Sequence, residues 1–276
     1  MQIGTVRELW RYPVKSMQGE RCPSLRLGPR GLEGDRRYAV VDRTSGRTLT
    51  AKTVPELLFA SARTHGEVVT VELPDGRQLD AGDPATSVAV AAWLGRDCEL
   101  VGAEHSIGAS YDMTFDPESD EAELVNIPVA TGTFFDLTPL HVLSTTSLAT
   151  MGAAHPGGDW DVRRFRPNVL VAPTTVTGID SLEVLSTLVP PGQEHPAFPE
   201  DGWVGRTVRI GESGAFFEVL MPAVRCAMPN RAQPGLERDL DIYRTMERLH
   251  SNHLGLYAAP AGEGLLREGD QLHLQE

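Results

Sequence analysis

The residue with the clearest chemical potential in this sequence is Cys226, a thiol that directly follows Arg225. A β-rich run from Ala215 to Leu220 leads into Pro222, so both residues are expected just past a strand end, where sites are usually built. A neighbouring guanidinium favours the thiolate, which attacks electrophiles and ligates soft metals. A lone free cysteine is more often a packing residue. Whether Cys226 is a reactive thiol or a packing residue therefore has to be judged from residues elsewhere in the chain.

Two arginine segments are notable because the chain as a whole is acidic, with a formal net charge of -13. Arg166 and Asn168 flank Pro167 at the start of an apolar strand, and alternation would point both side chains to the same side. In Gly34-Asp35-Arg36, an arginine again lies just before a β-rich run. An arginine beside an amide suits phosphate or another planar anion. Ordinary surface ion pairing is the alternative for each segment.

Lysine is nearly absent, since the basic residues are 23 Arg and only 2 Lys, at Lys15 and Lys52. A compact ammonium is a donor that a planar guanidinium cannot replace at every site. Both lysines are therefore candidate site residues, and chance survival is the alternative. Together with the arginine segments, Tyr12-Pro13-Val14-Lys15-Ser16 would supply several cationic donors to one pocket.

The composition describes an ordered, globular protein of 276 residues, 41% hydrophobic and 23% charged. Its acidic charge argues against a nucleic-acid partner or an anionic membrane, which need a basic face. Three cysteines without a CxxC spacing offer neither a disulfide framework nor a closed zinc site. No run approaches the roughly 20 apolar residues of a membrane span. We therefore expect a soluble, cytoplasmic protein with no membrane partner.

The elements that must position these residues are mainly short strands, with the spacing of a barrel or sandwich rather than a βαβ repeat. Asp75-Gly76 predicts a hairpin turn. Strands are expected near residues 2–10, 25–27, 37–41, 68–73, 140–144, 168–172, 208–210, 215–220 and 271–274. Helices are expected at residues 84–94, 146–151 and 239–250.

The remaining features have weaker interpretations. The acidic segment from Gly102 to Ile127 is expected to be a connector and a possible lid, with a plain surface loop as the favoured alternative. A long excursion is expected at residues 190–202.

His250 and His253 could shuttle protons or bind a metal, although such a pair is more often at the surface. Cys22 and Cys98 are interpreted as packing residues.

An ordered set of motifs resembles a known family over nearly the whole chain. Tyr12-Pro13-Val14-Lys15-Ser16, Gly34-Asp35-Arg36 and Thr50-Ala51-Lys52 resemble the N-terminal β-barrel domain that precedes MOSC domains. The motifs that resemble the MOSC domain itself are Asp136-Leu137-Thr138-Pro139-Leu140, Phe165-Arg166-Pro167-Asn168, Arg225-Cys226, Gly255-Leu256-Tyr257 and Arg267-Glu268-Gly269-Asp270. Characterised proteins of this kind are the mitochondrial amidoxime-reducing components and their bacterial counterparts.

The resemblance implies a mainly β, two-lobed fold with a few helices. An N-terminal β-barrel-like domain would span residues 1–125 and a MOSC β-barrel domain residues 126–276. It also implies a molybdenum-pterin cofactor (Mo-molybdopterin), with Cys226 as the catalytic residue and the protein ligand of the metal. The implied cofactor-binding residues are Lys15, Ser16, Arg36, Asp136, Leu137, Thr138, Arg166, Asn168, Val224, Arg225 and Tyr257.

The function implied by the resemblance is a molybdenum-dependent oxidoreductase that reduces N-hydroxylated small molecules. Electrons would come from an external donor protein of the ferredoxin or flavin type, because no flavin, haem or iron-sulfur signature occurs in the sequence. Two alternatives stay open, a cofactor or sulfur carrier that uses a persulfide on Cys226, and a MOSC scaffold without metal. Ala227-Met228-Pro229-Asn230 stands where relatives carry a Thr-rich segment, so the substrate and the occupancy of the cofactor site stay open.

Overall fold

The fold is mainly β, as expected, in this computed structural model, which describes residues 1–106, 108–113, 125–130, 132–174 and 197–275. The strands are β1 (Gln2–Arg11), β2 (Glu20–Cys22), β3 (Ser24–Gly28), β4 (Gly31–Leu32), β5 (Tyr38–Asp42), β6 (Ser61–His65), β7 (Val68–Glu72), β8 (Gln78–Asp80), β9 (Cys98–Gly102), β10 (Ser110–Met113), β11 (Val125–Pro128), β12 (Leu140–Ser144), β13 (Val169–Pro173), β14 (Thr207–Ile210), β15 (Ala215–Val224), β16 (His253–Gly262), β17 (Gly264–Arg267) and β18 (Gln271–Leu274). The α-helices are α1 (Pro84–Leu94), α2 (Thr145–Ala154), α3 (Val162–Phe165) and α4 (Asp241–His250).

Seven strands close into a barrel in the order β13-β12-β16-β15-β14-β18-β1, because β1 also pairs with β13. The barrel buries alternate residues of its strands, as shown by β15, where Phe217 and Val219 are buried while Glu218 and Leu220 are exposed. β1 comes from the beginning of the chain, so the barrel combines residues separated by more than 150 positions. Closure removes the sheet edges that would otherwise need protection.

One connection of the barrel is a crossover. β12 and β13 pair in parallel, and α2 and α3 lie between them in sequence, as parallel neighbours require. Ser144 begins α2 by accepting a hydrogen bond at Oγ from the Ser147 amide, and Asp161 begins α3 in the same way for the Arg163 amide. These caps fix where each helix starts and bring the end of α3 to the start of β13.

The remaining N-terminal strands form small sheets around a second apolar core. β5 pairs with β9, β6-β7-β8 form a meander, and α1 packs with them. Asp83 caps α1 at its start, and Gly95 ends it in the left-handed conformation at φ 62°. The loops between β1 and β5 and after β5 face the seven-strand barrel, which is where the cavity described below lies.

Most sequence-based expectations for individual elements are confirmed. β12, β18 and α1 have the expected bounds, and Asp75-Gly76 forms the turn between β7 and β8. β15 continues through Pro222 to Val224, so Arg225 and Cys226 do follow a strand end. β2, β4, β6, β9, β10, β11, β16 and β17 were not expected. β10 and β11 pair with each other inside the segment that was expected to be a connector or a plain surface loop.

Two expectations fall largely on residues that the structure does not describe. The proposed lid covers residues 107 and 114–124, which lie outside the described residues, as do residues 190–196 of the expected excursion. Asp112, within the lid segment, pairs with Arg47 at 3.0 Å, and Pro199–Trp203 forms a 3-10 helix. Within the described ranges, no helix has the length and apolar character needed to cross a membrane.

Candidate functional site

A cavity lies between the barrel and the N-terminal loops. All twelve residues singled out as a site by the resemblance line it. They are Lys15, Ser16, Arg36, Asp136, Leu137, Thr138, Arg166, Asn168, Val224, Arg225, Cys226 and Tyr257. The wall also includes residues outside that set, namely Thr50, Lys52, Phe135, His141, Phe165 and Met228.

Both lysines of the chain meet at one carboxylate. Lys15 and Lys52 are 5% exposed, each forms an ion pair with Asp136, and both ammonium groups lie over the ring of Tyr111, at 4.6 and 4.4 Å from its centroid. Desolvation by the surrounding protein opposes ionisation of Asp136, whose side chain is 41% exposed, yet the two lysines hold its pKa well below its usual range. Two compact ammonium groups can share one carboxylate and one aromatic ring, which larger guanidinium groups could not do in the same space.

The two lysines differ in how firmly they hold their protons. Burial lowers the pKa of Lys15 to about 8, although Asp136 opposes this shift, and the neighbouring charge of Lys52 lowers it further. Burial also disfavours the charge on Lys52, yet Asp136 holds its pKa above the usual range. Lys52 therefore keeps its positive charge at neutral pH, whereas Lys15 is close to its titration range.

A second group of cations gathers around Tyr12. The guanidinium groups of Arg36 and Arg166 lie 4.6 and 4.2 Å from the centroid of its ring. Arg36 forms an ion pair with the fully buried carboxylate of Asp35, and Arg166 Nη1 donates to the Met17 carbonyl at 2.7 Å. Burial and the adjacent Arg36 lower the pKa of Arg166 to about 10, so it stays charged at neutral pH.

Asn168 lines the cavity but has its amide engaged by the protein. Its Oδ1 accepts from the His141 amide at 3.1 Å, and its Nδ2 donates to Asp35 at 3.1 Å and to the Trp10 carbonyl at 3.3 Å. Asn168 therefore ties β1, β12 and the Asp35 turn together. Ser16 acts similarly, because its hydroxyl accepts from the Ala51 amide at 3.0 Å.

The backbone around Cys226 is held on both sides of Arg225. The Arg225 amide donates to the Asn252 carbonyl at 2.9 Å, and Asn252 Nδ2 donates back to the Arg225 carbonyl at 2.6 Å. The Arg225 side chain donates to the Phe165 carbonyl at 2.8 Å. Cys226 is partly exposed and packs against Ala51 and the buried side chain of Met228. The thiol is thus fixed in place and accessible from the cavity.

His141 is a site residue that the sequence did not reveal. Its ring is buried between Arg225 Nη1, 3.3 Å from Nε2, and the Leu254 carbonyl, 3.2 Å from the same atom. Burial, reinforced by the charge of Arg225, lowers its pKa to about 3. Gly255 permits this contact, because a Cβ there would lie 2.5 Å from the His141 ring. His141 therefore stays neutral at physiological pH.

Left-handed backbone conformations concentrate at the cavity. The non-glycine residues with positive φ in the described ranges are Ser16, Arg36, Arg166, Ser251 and Asn252. Three of them line the wall and Asn252 clamps Arg225. Such conformations cost about 1 kcal/mol or more each and persist at functional sites because the surrounding structure imposes them. Arg166 takes its place through this conformation at the end of α3, which corrects the expectation that strand alternation directs it.

The chemistry of the wall fits an anionic ligand with a soft metal. Five cationic side chains and one carboxylate line the cavity, within a chain of net charge -13. Thr50 Oγ1, on the wall, and Arg225 Nε are buried without a hydrogen-bond partner among the described residues, so a ligand can satisfy them. The thiol supplies the soft donor.

The two histidines considered from the sequence lie outside this wall. His250 stacks on Phe198 with ring centroids 3.9 Å apart and pairs with Asp201 at 2.7 Å, and His253 contacts the backbone of His250. Cys22 and Cys98 are buried in strands, and burial raises the pKa of each thiol. Their packing role is consistent with these positions.

Two known domain families match segments of this chain. The MOSC N-terminal beta barrel domain matches residues 3–104, and the MOSC domain matches residues 131–273.

Curated relatives include mitochondrial amidoxime reducing component 2 of Bos taurus, 25% identical over 199 residues that cover 62% of this chain and 56% of the relative. Mitochondrial amidoxime-reducing component 1 of Homo sapiens is 26% identical over 207 residues, covering 67% of this chain and 60% of the relative. The chain thus spans less than two thirds of the length of these relatives. Among solved structures, the YUAD protein of Bacillus subtilis aligns over 99% of this chain and 97% of its own, with a TM-score of 0.45 and 10% identity.

Proposed function

The chain belongs to the MOSC family, and from that premise we propose that its cavity holds a molybdenum-pterin cofactor and that the protein removes oxygen from N-oxygenated small molecules. The observation that carries the proposal is the wall itself, in which a partly exposed thiol shares one cavity with five cationic side chains and one carboxylate. A pterin phosphate with a thiolate-ligated metal needs this combination of fixed positive charge and a soft donor.

Different residues would contact different parts of the cofactor. Cys226 would ligate the metal, and the charged side chains of Lys15, Lys52, Arg36 and Arg166 would offset the negative charge of the pterin phosphate. Arg225 would add a charge beside the thiolate while its backbone, clamped by Asn252, holds the sulfur in position. The remaining members of the set implied by the resemblance, Ser16, Asp136, Leu137, Thr138, Asn168, Val224 and Tyr257, would shape the wall.

When bound, the cofactor would supply two-electron removal of an oxygen atom. For an N-hydroxy substrate the overall change consumes two electrons and two protons, breaks the N–O bond and yields an N–H group and water. The electrons would come from an external donor protein of the ferredoxin or flavin type. The curated relatives are named as amidoxime-reducing components, which supports this substrate class.

The protein residues constrain where the protons can come from. His141 stays neutral because burial and Arg225 lower its pKa to about 3, so it cannot supply a proton at neutral pH. Burial raises the pKa of Tyr257, which keeps its hydroxyl protonated and donating to the Val224 carbonyl at 3.2 Å. Lys15, with a pKa of about 8, is a wall residue that can exchange a proton near neutral pH.

The direct test is turnover of benzamidoxime with a reduced viologen dye as the electron source, using protein from a host that makes the cofactor. We expect benzamidine to form, and Cys226→Ala to lower the rate by about a hundredfold or more, as loss of a metal ligand does. Cys98→Ala is the matched control, because Cys98 is buried in β9 away from the cavity. Equal rates in wild type and Cys226→Ala would refute the role of the thiolate.

A second measurement addresses the sulfur-carrier alternative. Intact-mass spectrometry of the same protein, before and after reduction, would reveal a labile sulfur on Cys226. A persulfide there, without molybdenum and without turnover, would replace the proposed function with sulfur transfer.

A further inference from the structure

Two histidines outside the cavity are bonded to each other across a tight turn. His250 ends α4 and His253 begins β16, and Nδ1 of each ring lies within hydrogen-bond distance of the other residue's carbonyl, at 3.0 and 3.2 Å. Between them, Ser251 and Asn252 both have left-handed backbone conformations, with φ of 48° and 59°. Two such conformations in succession cost free energy in non-glycine residues, so the bonds across the turn are needed to hold it.

The other ring nitrogen of His250 faces a carboxylate. Its Nε2 lies 2.7 Å from Asp201 Oδ2, and its ring stacks on Phe198 with centroids 3.9 Å apart. Asp201 Oδ1 is buried without a hydrogen-bond partner among the described residues. The burial of this carboxylate is therefore compensated through His250.

Both ring nitrogens of His250 thus face acceptors, and only the protonated ring can donate to both. A neutral ring carries one N–H group, so it keeps either the bond to Asp201 or the bond across the turn. Loss of one proton must therefore break one of the two contacts, whichever nitrogen retains its hydrogen.

The surroundings of the ring favour the protonated form. Burial lowers the pKa of His250, but the hydrogen bond and the charge of Asp201 outweigh it, with the His253 carbonyl adding to them, so the pKa is raised above its ordinary value. The charge of Glu200, which lies beside Asp201 in the 3-10 helix, acts in the same direction. The ring of His253, edge-on with centroids 6.1 Å apart, would oppose protonation of His250 only when it is itself charged.

The turn held by His250 also fixes the backbone beside the thiol. Asn252 Nδ2 donates to the Arg225 carbonyl at 2.6 Å, and the Arg225 amide donates to the Asn252 carbonyl at 2.9 Å. Directly after the turn, His253 pairs with Val224 at the end of β15. A loosened turn would therefore weaken both bonds to Arg225, the residue that precedes Cys226.

We propose that protonated His250 is a pH-sensitive latch on the turn at residues 251–252, and that its deprotonation under alkaline conditions loosens the backbone around Arg225. This inference goes beyond the proposed function, because it concerns the folded chain with or without a cofactor. The latch is fully closed below the ordinary histidine pKa of about 6.5. It opens as the pH rises through the higher pKa of His250 in the folded chain.

The first test is amide hydrogen exchange of the full chain at pH 6 and pH 9, read by mass spectrometry of the peptide that contains Arg225. After division by the intrinsic exchange rate at each pH, we expect the protection of this peptide to be about tenfold lower at pH 9, as loss of one hydrogen bond predicts. Equal protection at both pH values in wild type would overturn the inference.

His250→Gln separates the latch from other titrating groups. A glutamine can donate to Asp201 but cannot also donate across the turn, so protection should already be reduced at pH 6 and should change little up to pH 9. The matched control is His155→Gln, because His155 also pairs with an aspartate, Asp239 at 2.9 Å, but lies outside the turn. It should retain the wild-type pH dependence. A wild-type pH dependence in His250→Gln would show that another group controls the exchange.

NMR titration of the His250 ring gives a second measurement, with its signals assigned by their absence in His250→Gln. We expect a midpoint above the ordinary histidine value in wild type and a lower midpoint in Asp201→Asn, which removes the charge but retains an acceptor. Equal midpoints in wild type and Asp201→Asn would contradict the inference.

Discussion

Lys15 is the side chain through which the charge of the cavity depends on pH near neutrality. Its pKa is lowered to about 8, chiefly by burial, so its ammonium loses its proton as the pH rises through 8 and one positive charge leaves the wall. We predict that cofactor-free protein binds inorganic sulfate about threefold to tenfold more weakly at pH 9.5 than at pH 7. Sulfate keeps its charge over this range, so calorimetry at a series of pH values reports on the protein.

Lys15→Met provides the control for this prediction. Without the titrating ammonium, sulfate should bind more weakly at pH 7, and its affinity should change little up to pH 9. A pH dependence in Lys15→Met as steep as in wild type would show that another group titrates.

Among single residues, those with an unusual type or local motif could be predicted from the sequence, and those placed by long-range packing could not. Lys52 was notable as one of only two lysines, but its pairing with Asp136 depends on a contact across 84 positions. His141 lies in an ordinary β-rich sequence. Its role follows from its burial against Arg225, which no local pattern indicates.

At the scale of elements, α3 is joined to the segment after Cys226 by one buried guanidinium. Arg164 is 1% exposed and donates to the carbonyls of Asp159, Pro229, Arg231 and Glu237 at 2.7 to 3.2 Å. A lysine ammonium is a single point and cannot reach four acceptors in this arrangement. We predict that Arg164→Lys lowers the free energy of unfolding by about 3 kcal/mol, measured by urea denaturation.

The adjacent residue, Arg163, provides the control for the Arg164→Lys prediction. Its side chain is 33% exposed and pairs with Asp161 at 2.8 Å, so Arg163→Lys should cost less than about 1 kcal/mol. If Arg164→Lys is as stable as wild type, the guanidinium does not hold the segment after the thiol.

Local signals predicted many elements but not their partners. Asp83 and Gly95 mark both ends of α1, and Gly76 marks the β7–β8 turn. β16 was not predicted, because Gly255 and Pro260 interrupt its apolar pattern. In the structure it pairs with both β12 and β15. A strand whose partners lie elsewhere in the chain is recognised by those partners rather than by its own composition.

At the scale of the molecule, the barrel closes only when β1 joins β13 and β18. The same strand ends in the turn that carries Lys15 and Ser16, so closure of the barrel also brings the N-terminal cations to Cys226. The ordered motifs singled out twelve residues that line this cavity, whereas the pairing of β1 with β13 and β18 had no local sequence signal. The division into residues 1–125 and 126–276, like the cytoplasmic location, stays a prediction.

The central claim is that the cavity holds molybdenum and a pterin through Cys226, and metal and pterin analysis of protein from a cofactor-competent host tests it most directly. We predict stoichiometric molybdenum and pterin in wild type and in Cys98→Ala, and a severalfold loss of molybdenum in Cys226→Ala. Wild-type protein that contains neither, or Cys226→Ala with wild-type molybdenum, would contradict the account.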